Sequence, residues 1–257
     1  MKKFKIDEMY MKKIIVLIVC FICFACDSES TLDCFQTAGS TIEQEFTVDA
    51  FNRILVNRDI SLIIKQGPQK VIVETGENLL NDVTVEVIND QLILTDNNTC
   101  NFVRDIGVTK IYVTTPNLSE IRCSTQLEII SDGVLNFQNL NLFSEDFGAP
   151  DTFPIGDFRL QLNTTTLNIV SNNISFFYLS GIVENLNINF ANGNGRFEGR
   201  NLTAQNVSIF HRGTNDVLIN PQQSITGSIV STGDVIAFNQ PAAINVEETF
   251  TGRLIFE

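Results

Sequence analysis

Nucleophilic catalysis in proteins usually relies on a hydroxyl or thiol activated by a neighbouring histidine, and this chain offers little of that chemistry. It contains six cysteines and one histidine, His211. No Ser or Cys nucleophile motif accompanies His211, so a Ser-His-Asp triad has no support. We interpret His211 and Arg212 as exposed residues at a turn, and we predict that the protein has no catalytic residues.

The cysteines fall into two groups. Three belong to an apolar N-terminal run, and three lie farther along the chain: Cys34, Cys100 and Cys123. The spacings of the later group, 66 and 23 residues, fit no zinc motif. In an oxidising compartment we expect a Cys34–Cys100 disulfide, which would join the first ordered residues to an Asn-rich loop and stabilise the fold by about 4 kcal/mol. Cys123 lies in a strand-like run and is predicted to be a buried free thiol.

Carboxylates are densest in one segment, which contains Glu145, Asp146, Asp151 and Asp157. Carbohydrate-cleaving enzymes need several carboxylates and a basic partner on one face, often around calcium. Three interpretations stay open: a solvated loop, a calcium site and a catalytic site. The solvated loop is favoured because the whole chain is acidic, with a net charge of −13. We therefore predict no metal site and no cofactor.

One aromatic cluster, Phe176-Phe177-Tyr178, stands out. Side chains alternate across a strand, so Phe176 and Tyr178 would share one face while Phe177 points to the other. Aromatic rings of this kind either pack in a core, cover a sheet or form a platform for a sugar. Phe176 and Tyr178 are therefore the candidate ligand patch.

The N-terminus is typical of a secretory signal peptide over residues 1–25. Lys12 and Lys13 precede an apolar run, Ile14 to Ala25. Twelve residues would rise only about 18 Å as a helix, which is too short for a hydrocarbon core of about 30 Å. Met11 begins a well-formed signal by itself, so the initiator is either Met1 or Met11.

Cys26 lies where a lipoprotein signal is cleaved, and it is the predicted lipidation site. Cys23 stands where such signals usually have Leu, so ordinary cleavage and a retained membrane anchor remain alternatives. Residues 26–44 would then form a polar tether to the membrane. We expect the protein in the cell envelope, anchored to the outer membrane on its periplasmic or surface side. The acidic charge argues against a nucleic-acid partner.

The elements that would position these groups are strands. Apolar and polar residues alternate from Phe46 onward, and Gly, Pro, Asn and Asp separate the runs. No helical stripe persists for three turns. The sequence therefore predicts an all-β domain.

The second half repeats with a period of about 20 residues. Its turns are marked at equal spacing by Asn173, Gly193, Gly213 and Gly233, and its inward apolar positions keep the same step at Ile169, Ile188, Ile209 and Ile229. Such a period is typical of stacked coils that bury each other's inward side chains. We expect Asn side chains to form ladders between coils, and the Gly or Asn at each turn to adopt a positive φ.

The order of these elements resembles that of the Bacteroidetes auto-transporter adhesins with a head GIN domain. The N-terminal unit of that family is similar to the segments 51–56, 60–67, 71–74, 78–80, 91–94 and 116–118, and its Gly-rich repeat turns are nearest to Gly193-Asn194-Gly195. The resemblance covers residues 45–240. It implies a right-handed β-helix-like or β-roll-like fold, similar in architecture to pectin lyases but without their catalytic residues, and it implies a role in adhesion.

The predicted organisation follows from these observations. After the signal and tether, the domain spans 45–240, with N-terminal strands over 45–118 and repeat coils over 119–240, and a closing strand lies in 241–257. We expect a non-enzymatic surface adhesion or binding module for a glycan or a protein. The alternative is a structural component of the envelope that self-associates into homo-oligomers, and a minor alternative is a carbohydrate-active enzyme.

Overall fold

A computed structural model describes residues 33–98, 100–150 and 152–257. The predicted signal peptide, the lipidation site Cys26 and the first part of the tether lie outside the described residues. The described residues form one sheet of 17 strands and two short 3₁₀ helices, Asp33–Phe35 and Leu80–Asp82. The prediction of an all-β domain is confirmed. Within these ranges, no helix has both the length and the apolarity needed to cross a membrane.

The strands are β1 (Thr41–Phe46), β2 (Arg53–Val56), β3 (Ile60–Gln66), β4 (Lys70–Gly76), β5 (Val83–Ile88), β6 (Gln91–Asp96), β7 (Thr109–Thr115), β8 (Glu120–Cys123), β9 (Ile129–Leu135), β10 (Asn139–Ser144), β11 (Phe158–Ser171), β12 (Phe176–Phe190), β13 (Arg196–His211), β14 (Val217–Ile229), β15 (Val235–Ala237), β16 (Ala243–Glu248) and β17 (Leu254–Phe256).

Parallel pairing arranges these strands in two ladders. Ladder A runs through β6, β2, β8, β10, the second halves of β11 to β14, and β16. Ladder B runs through β7, β3, β9, the first halves of β11 to β14, β15 and β17. The inward side chains of both ladders form a single apolar core that extends from Phe51 to Ala237.

The period read from the sequence is the offset between paired strands. Ile169 lies opposite Ile188, and Ile188 lies opposite Ile209, as predicted. The fourth predicted member, Ile229, lies opposite His211 because the pairing of β13 with β14 shifts register. Each repeat buries its aliphatic side chains against the next one, and a fully buried Ile stabilises the fold by about 1.5–3 kcal/mol.

The two ends of the sheet differ. At the N-terminal end, antiparallel strands cover the ladders: β1 pairs with β4, β4 with β7, and β5 with β6. β1 begins at Thr41, so the folded part starts inside the segment expected to be a tether. At the other end, residues 241–257 were predicted to hold one closing strand. They form two instead, because β16 extends ladder A and β17 extends ladder B.

The regular placement of glycine at the turns has a different cause from the expected one. Only Gly193 has a positive φ, of 85°, so that prediction is wrong for Asn173, Gly213 and Gly233. A Cβ on Gly233 would lie 2.2 Å from the carbonyl oxygen of Asn215 in the preceding turn. A Cβ on Gly193 would lie 2.3 Å from the carbonyl oxygen of Asn173, so at these two turns glycine is favoured because the preceding turn leaves no room for a side chain.

Asparagine ladders join successive repeats, as predicted. Asn168 Nδ2 donates to Asn141 Oδ1 at 2.8 Å, and Asn187 Nδ2 donates to Asn168 Oδ1 at 2.7 Å. A second ladder joins Asn206 Nδ2 to Asn185 Oδ1 at 3.2 Å. Each amide satisfies its neighbour, so these half-buried polar groups reinforce the register instead of opposing it.

Close approach between repeats predicts unequal effects for two glycine substitutions. Gly133 and Gly181 both have positive φ, but a Cβ on Gly133 meets nothing within 4 Å, whereas one on Gly181 would lie 2.0 Å from the carbonyl oxygen of Leu162. Gly133→Ala should lower the free energy of unfolding by about 1–2 kcal/mol, from φ alone. Gly181→Ala should cost at least about 2 kcal/mol more, because the backbone must move. Urea titration of both variants measures the difference, and equal losses would contradict the close stacking.

Candidate binding face on ladder B

Ladder B carries a row of side chains that faces away from the core. Arg159 lies opposite Tyr178, Tyr178 opposite Glu198, and Glu198 opposite Leu218. Their chain neighbours point inward and are fully buried: Phe158, Phe177, Phe197 and Val217. The period-2 alternation of the strands therefore builds an outer row of charged and aromatic groups on a rigid aliphatic and aromatic base.

The predicted ligand patch lies on this outer face. Phe176 and Tyr178 are half-buried and their rings meet edge-on, with centroids 6.2 Å apart. Phe177 is buried on the opposite face, as the alternation predicted. The guanidinium carbon of Arg159 lies 3.9 Å from the centroid of the Tyr178 ring, and Arg159 Nε lies 2.5 Å from Glu128 Oε1. One face of the Tyr178 ring is thus occupied by a cation.

A shallow open groove adjoins Tyr178. It has a volume of about 450 Å³ and is lined by Tyr178, Leu179, Ser180, Glu198, Arg200, Asn201 and Leu218. Arg200 also places its guanidinium carbon 3.9 Å from the centroid of the Phe238 ring. The groove therefore combines an aromatic side chain with a carboxylate, a guanidinium and an amide. Groups of this kind suit a ligand rich in hydroxyls.

Glu198 is held in place by Arg196. Arg196 Nε lies 2.6 Å from Glu198 Oε1, and Arg196 Nη1 lies 3.3 Å from Asp216 Oδ2 in the turn just before β14. Arg196 lies opposite Phe176 in the ladder, so the aromatic pair on β12 and the Arg196–Glu198 ion pair on β13 lie side by side. These two ion pairs hold the side chains of Arg196 and Glu198 in position on the face.

The acid cluster is not a uniformly solvated loop. Glu145 is only 6% exposed, and its carboxylate accepts hydrogen bonds from Arg122 Nη1 at 2.5 Å and from the backbone N–H of Gly148 at 2.6 Å. Burial alone would raise the pKa of Glu145, but these bonds and the charge of Arg122 lower it. Interpreting Glu145 as solvated is therefore wrong. It anchors the loop to β8, the strand that carries Arg122.

The other acids of that segment serve separate contacts. Asp146 Oδ1 accepts a hydrogen bond from Asn172 Nδ2 at 2.7 Å. Asp157 Oδ1 accepts one from the backbone N–H of Phe176 at 3.0 Å, and burial raises the pKa of Asp157. Asp151 lies outside the described residues. Among the residues that the structure describes, no three His, Cys, Asp or Glu side chains are grouped so that they could hold a metal ion.

The predictions for the three later cysteines are confirmed. Cys34 and Cys100 are joined by a disulfide, and Cys123 is a buried free thiol on β8. Burial raises the pKa of Cys123 to about 11, and its thiol points at the carbonyl oxygens of Thr125 and Gly156. A protonated, enclosed thiol is a poor nucleophile.

His211 contradicts its interpretation as an exposed turn residue. Its side chain is fully buried, and neither ring nitrogen has a hydrogen-bond partner. β13 extends through His211, which points inward like Ile209, so the imidazole packs edge-on against Phe190 with ring centroids 6.0 Å apart. Arg212, the next residue, is exposed as predicted. Continuing the alternation by one more step would have revealed the burial from sequence.

Comparison with known protein families identifies the family of this chain. Residues 50–241 match the family described as "Putative auto-transporter adhesin, head GIN domain". The chain belongs to this family. The resemblance read from the sequence is therefore confirmed. No functionally curated protein matches the chain.

Several solved structures share the fold at low sequence identity. A "putative adhesin" from Bacteroides fragilis is 19% identical, with a TM-score of 0.75 over 86% of this chain and 99% of that one. A "putative adhesin" from Parabacteroides merdae is 16% identical, with a TM-score of 0.59 over 85% and 97%. A "putative lipid binding protein" from Parabacteroides distasonis is 14% identical, with a TM-score of 0.57 over 85% and 97%.

The buried imidazole predicts a pH dependence of stability. Burial lowers the pKa of His211 below its usual value of 6.5, although the nearby backbone of Asn215 and the charges of Asp216 and Asp234 oppose this. The unfolded chain therefore takes up a proton at a pH where the folded protein resists it. The contribution of this group to stability is complete above about pH 6.5 and is lost as the pH falls toward the folded pKa.

His211→Leu removes this titration without leaving a polar group in the core. Between pH 7.5 and pH 5, the wild type should lose more of its free energy of unfolding than the variant does, by at most about 2 kcal/mol, which is the limit set by the unfolded pKa. Urea titrations at both pH values measure this difference, and all other titrating groups are common to the two proteins. Identical pH dependence would show that His211 is accessible to protons in the folded state.

Proposed function

We propose that the protein is a non-catalytic binding module of the cell envelope, with a glycan-binding face on ladder B and a lipid anchor at Cys26. The observation that carries the proposal is the groove in which Tyr178 adjoins Glu198 and Arg200. Membership in an adhesin family and the adhesin names of structural relatives support a binding role. The signal-like N-terminus ending at Cys26 supports envelope anchoring.

A sugar is the ligand class that fits this groove best. The C–H groups of a pyranose ring pack against aromatic rings, while its hydroxyls both donate and accept hydrogen bonds. Glu198 would accept, Arg200 would donate, and Asn201 can do both. The groove is open, so one sugar would gain few contacts. Binding to an envelope or host surface would then depend on many such sites acting together.

Three features support a role without catalysis. The thiol of Cys123 is buried and its pKa is raised. The imidazole of His211 is enclosed in the core and has no hydrogen-bonded partner to activate. The carboxylate of Glu145 is paired with Arg122. These three groups are each engaged in packing or in an ion pair.

The strand pairing also supports a right-handed β-helix of stacked coils, as the family resemblance implied. Parallel strands offset by about 20 residues require a crossover in every repeat, and such crossovers are right-handed in roughly 98% of cases. Each long strand, β11 to β14, contributes to both ladders and so turns a corner within one repeat. A crystal structure with left-handed crossovers would contradict this assignment.

Tyr178→Ala tests the glycan-binding face. A glycan array probed with the disulfide-bonded mature protein identifies a ligand, and calorimetry measures its affinity. Loss of one aromatic contact should weaken binding roughly three- to tenfold, or about 0.6–1.4 kcal/mol. Glu198→Gln should weaken binding too, because a carboxylate acceptor becomes an amide.

Tyr112→Ala is the matched control. Tyr112 lies on the outer face of the same ladder, on β7, where its hydroxyl donates to Glu74 Oε2 at 2.9 Å, away from the groove. This variant should bind like the wild type. Equal weakening by both tyrosine substitutions, or no saturable glycan on the array, would count against the assigned face.

Self-association is a second candidate function, favoured by the last strands of the two ladders. Within the described ranges, β16 and β17 each pair on one side only, and they expose Ile244 and Ile255 at 43% and 40%. An open strand edge is a template for pairing with another chain.

We expect the sedimentation coefficient of the wild type to rise with protein concentration. The double variant Ile244→Lys and Ile255→Lys should abolish that rise. Ile182→Lys, a change at an exposed residue within the sheet, is the control, and a strict wild-type monomer would exclude this candidate.

A further inference from the structure

The loop between β6 and β7 exposes several large apolar side chains. Phe102, Val103 and Ile106 are 73%, 53% and 76% exposed. Phe35, which is 57% exposed, places its ring centroid 5.7 Å from that of Phe102. These four residues are called the apolar patch. Solvent exposure of so many large apolar groups on one short loop is unfavourable unless a partner covers them.

The loop is held in shape by its own polar groups. Asn101 Oδ1 accepts a hydrogen bond from the backbone N–H of Arg104 at 2.8 Å. Arg104 Nη2 donates to the carbonyl oxygens of Asn98 and Cys100 at 2.8 and 2.9 Å, and Arg104 Nη1 donates to that of Gln36 at 3.2 Å. The guanidinium and the backbone carbonyls thus satisfy one another inside the loop, and the apolar side chains are the groups that face outward.

The patch is tied to the segment that leads toward the anchor. The Cys34–Cys100 disulfide joins the two segments, and the backbone N–H of Phe102 donates to the carbonyl oxygen of Cys34 at 2.9 Å. Cys26 precedes Cys34 by eight residues. Even fully extended, that length of chain reaches only about 28 Å, so an acyl chain on Cys26 would keep the patch close to the bilayer surface.

We infer that the apolar patch inserts into the outer edge of the bilayer that holds the anchor. This inference rests on the proposed lipidation of Cys26. The insertion is driven by removal of Phe102, Val103 and Ile106 from water, while the carboxylate of Asp105 stays at the level of the headgroups. A lipid anchor on a flexible tether leaves the orientation of a domain free, whereas a second contact through a disulfide-fixed loop orients it.

This contact would set the position of the binding face. The patch lies at the N-terminal end of the ladders, next to β6 and β7. β12, which carries Tyr178, is four strand spacings from β7 along ladder B, or roughly 19 Å. The end of the stack at β16 is eight spacings from β6 along ladder A, or roughly 38 Å. The membrane would therefore meet one end of the stack and leave the groove accessible.

The chain contains no tryptophan, which makes a single introduced one an unambiguous reporter. Phe102→Trp is produced as the full chain in a bacterial host, its acylation is established by mass spectrometry, and it is reconstituted into phosphatidylcholine vesicles with or without bromine-labelled acyl chains. Its emission should move to shorter wavelength on the vesicles and should be quenched by the bromine. Adding Ile106→Asp should reverse both effects.

Phe250→Trp is the matched control, because Phe250 is 58% exposed and follows β16 at the far end of the stack. It should show neither the shift nor the quenching. If Phe102→Trp behaves like Phe250→Trp in acylated protein, the inference is overturned although the anchor stands. A shift that depends on protein concentration and not on bromine would overturn it as well, because a second copy would then cover the patch.

Mass spectrometry separates this inference from the proposed anchor. If Cys26 carries no acyl chain, the anchor fails, and the same protein is mixed with the vesicles directly. Quenching of Phe102→Trp would then support membrane contact by the patch alone, and its absence would overturn the patch together with the anchor.

Discussion

Parallel pairing of each strand with the strand about 20 residues farther along is the constraint on which the rest of the structure depends. One such segment cannot bury its own inward side chains or satisfy its own backbone hydrogen bonds. The next segment, about 4.8 Å away, does both at once. The same offset brings Asn141, Asn168 and Asn187 into hydrogen-bonding distance and stacks one turn on the next. Core, polar ladders and turns are thus consequences of one register.

The register also determines what the outer surface can do. Residues from distant parts of the chain are placed in rows by pairing, so Arg159, Tyr178 and Glu198 become neighbours although about 20 residues separate each from the next. Such rows lie on a stiff sheet, and their ion pairs hold them in position. A face of this type would meet an extended ligand through many small contacts, as the proposed binding role requires.

The two ends of the sheet expose different surfaces because different strands close them. Antiparallel strands close the N-terminal end, where the disulfide fixes the apolar patch beside the start of the described chain. At the opposite end the ladders finish in β16 and β17, with an open edge on each. One molecule therefore offers three distinct surfaces: an apolar loop, a polar groove and an open strand edge.

The sequence by itself determined the all-β class, the 20-residue period, the asparagine ladders, the pairing of Cys34 with Cys100 and the opposite faces of Phe177 and Tyr178, because alternation and period are local properties of the chain. It did not determine which groups lie side by side across repeats. The pairing of Glu145 with Arg122 and the contact of Arg159 with the Tyr178 ring depend on register and loop paths. These contacts form only when strands far apart in sequence pack together, because no local sequence pattern indicates which residues of different repeats will touch.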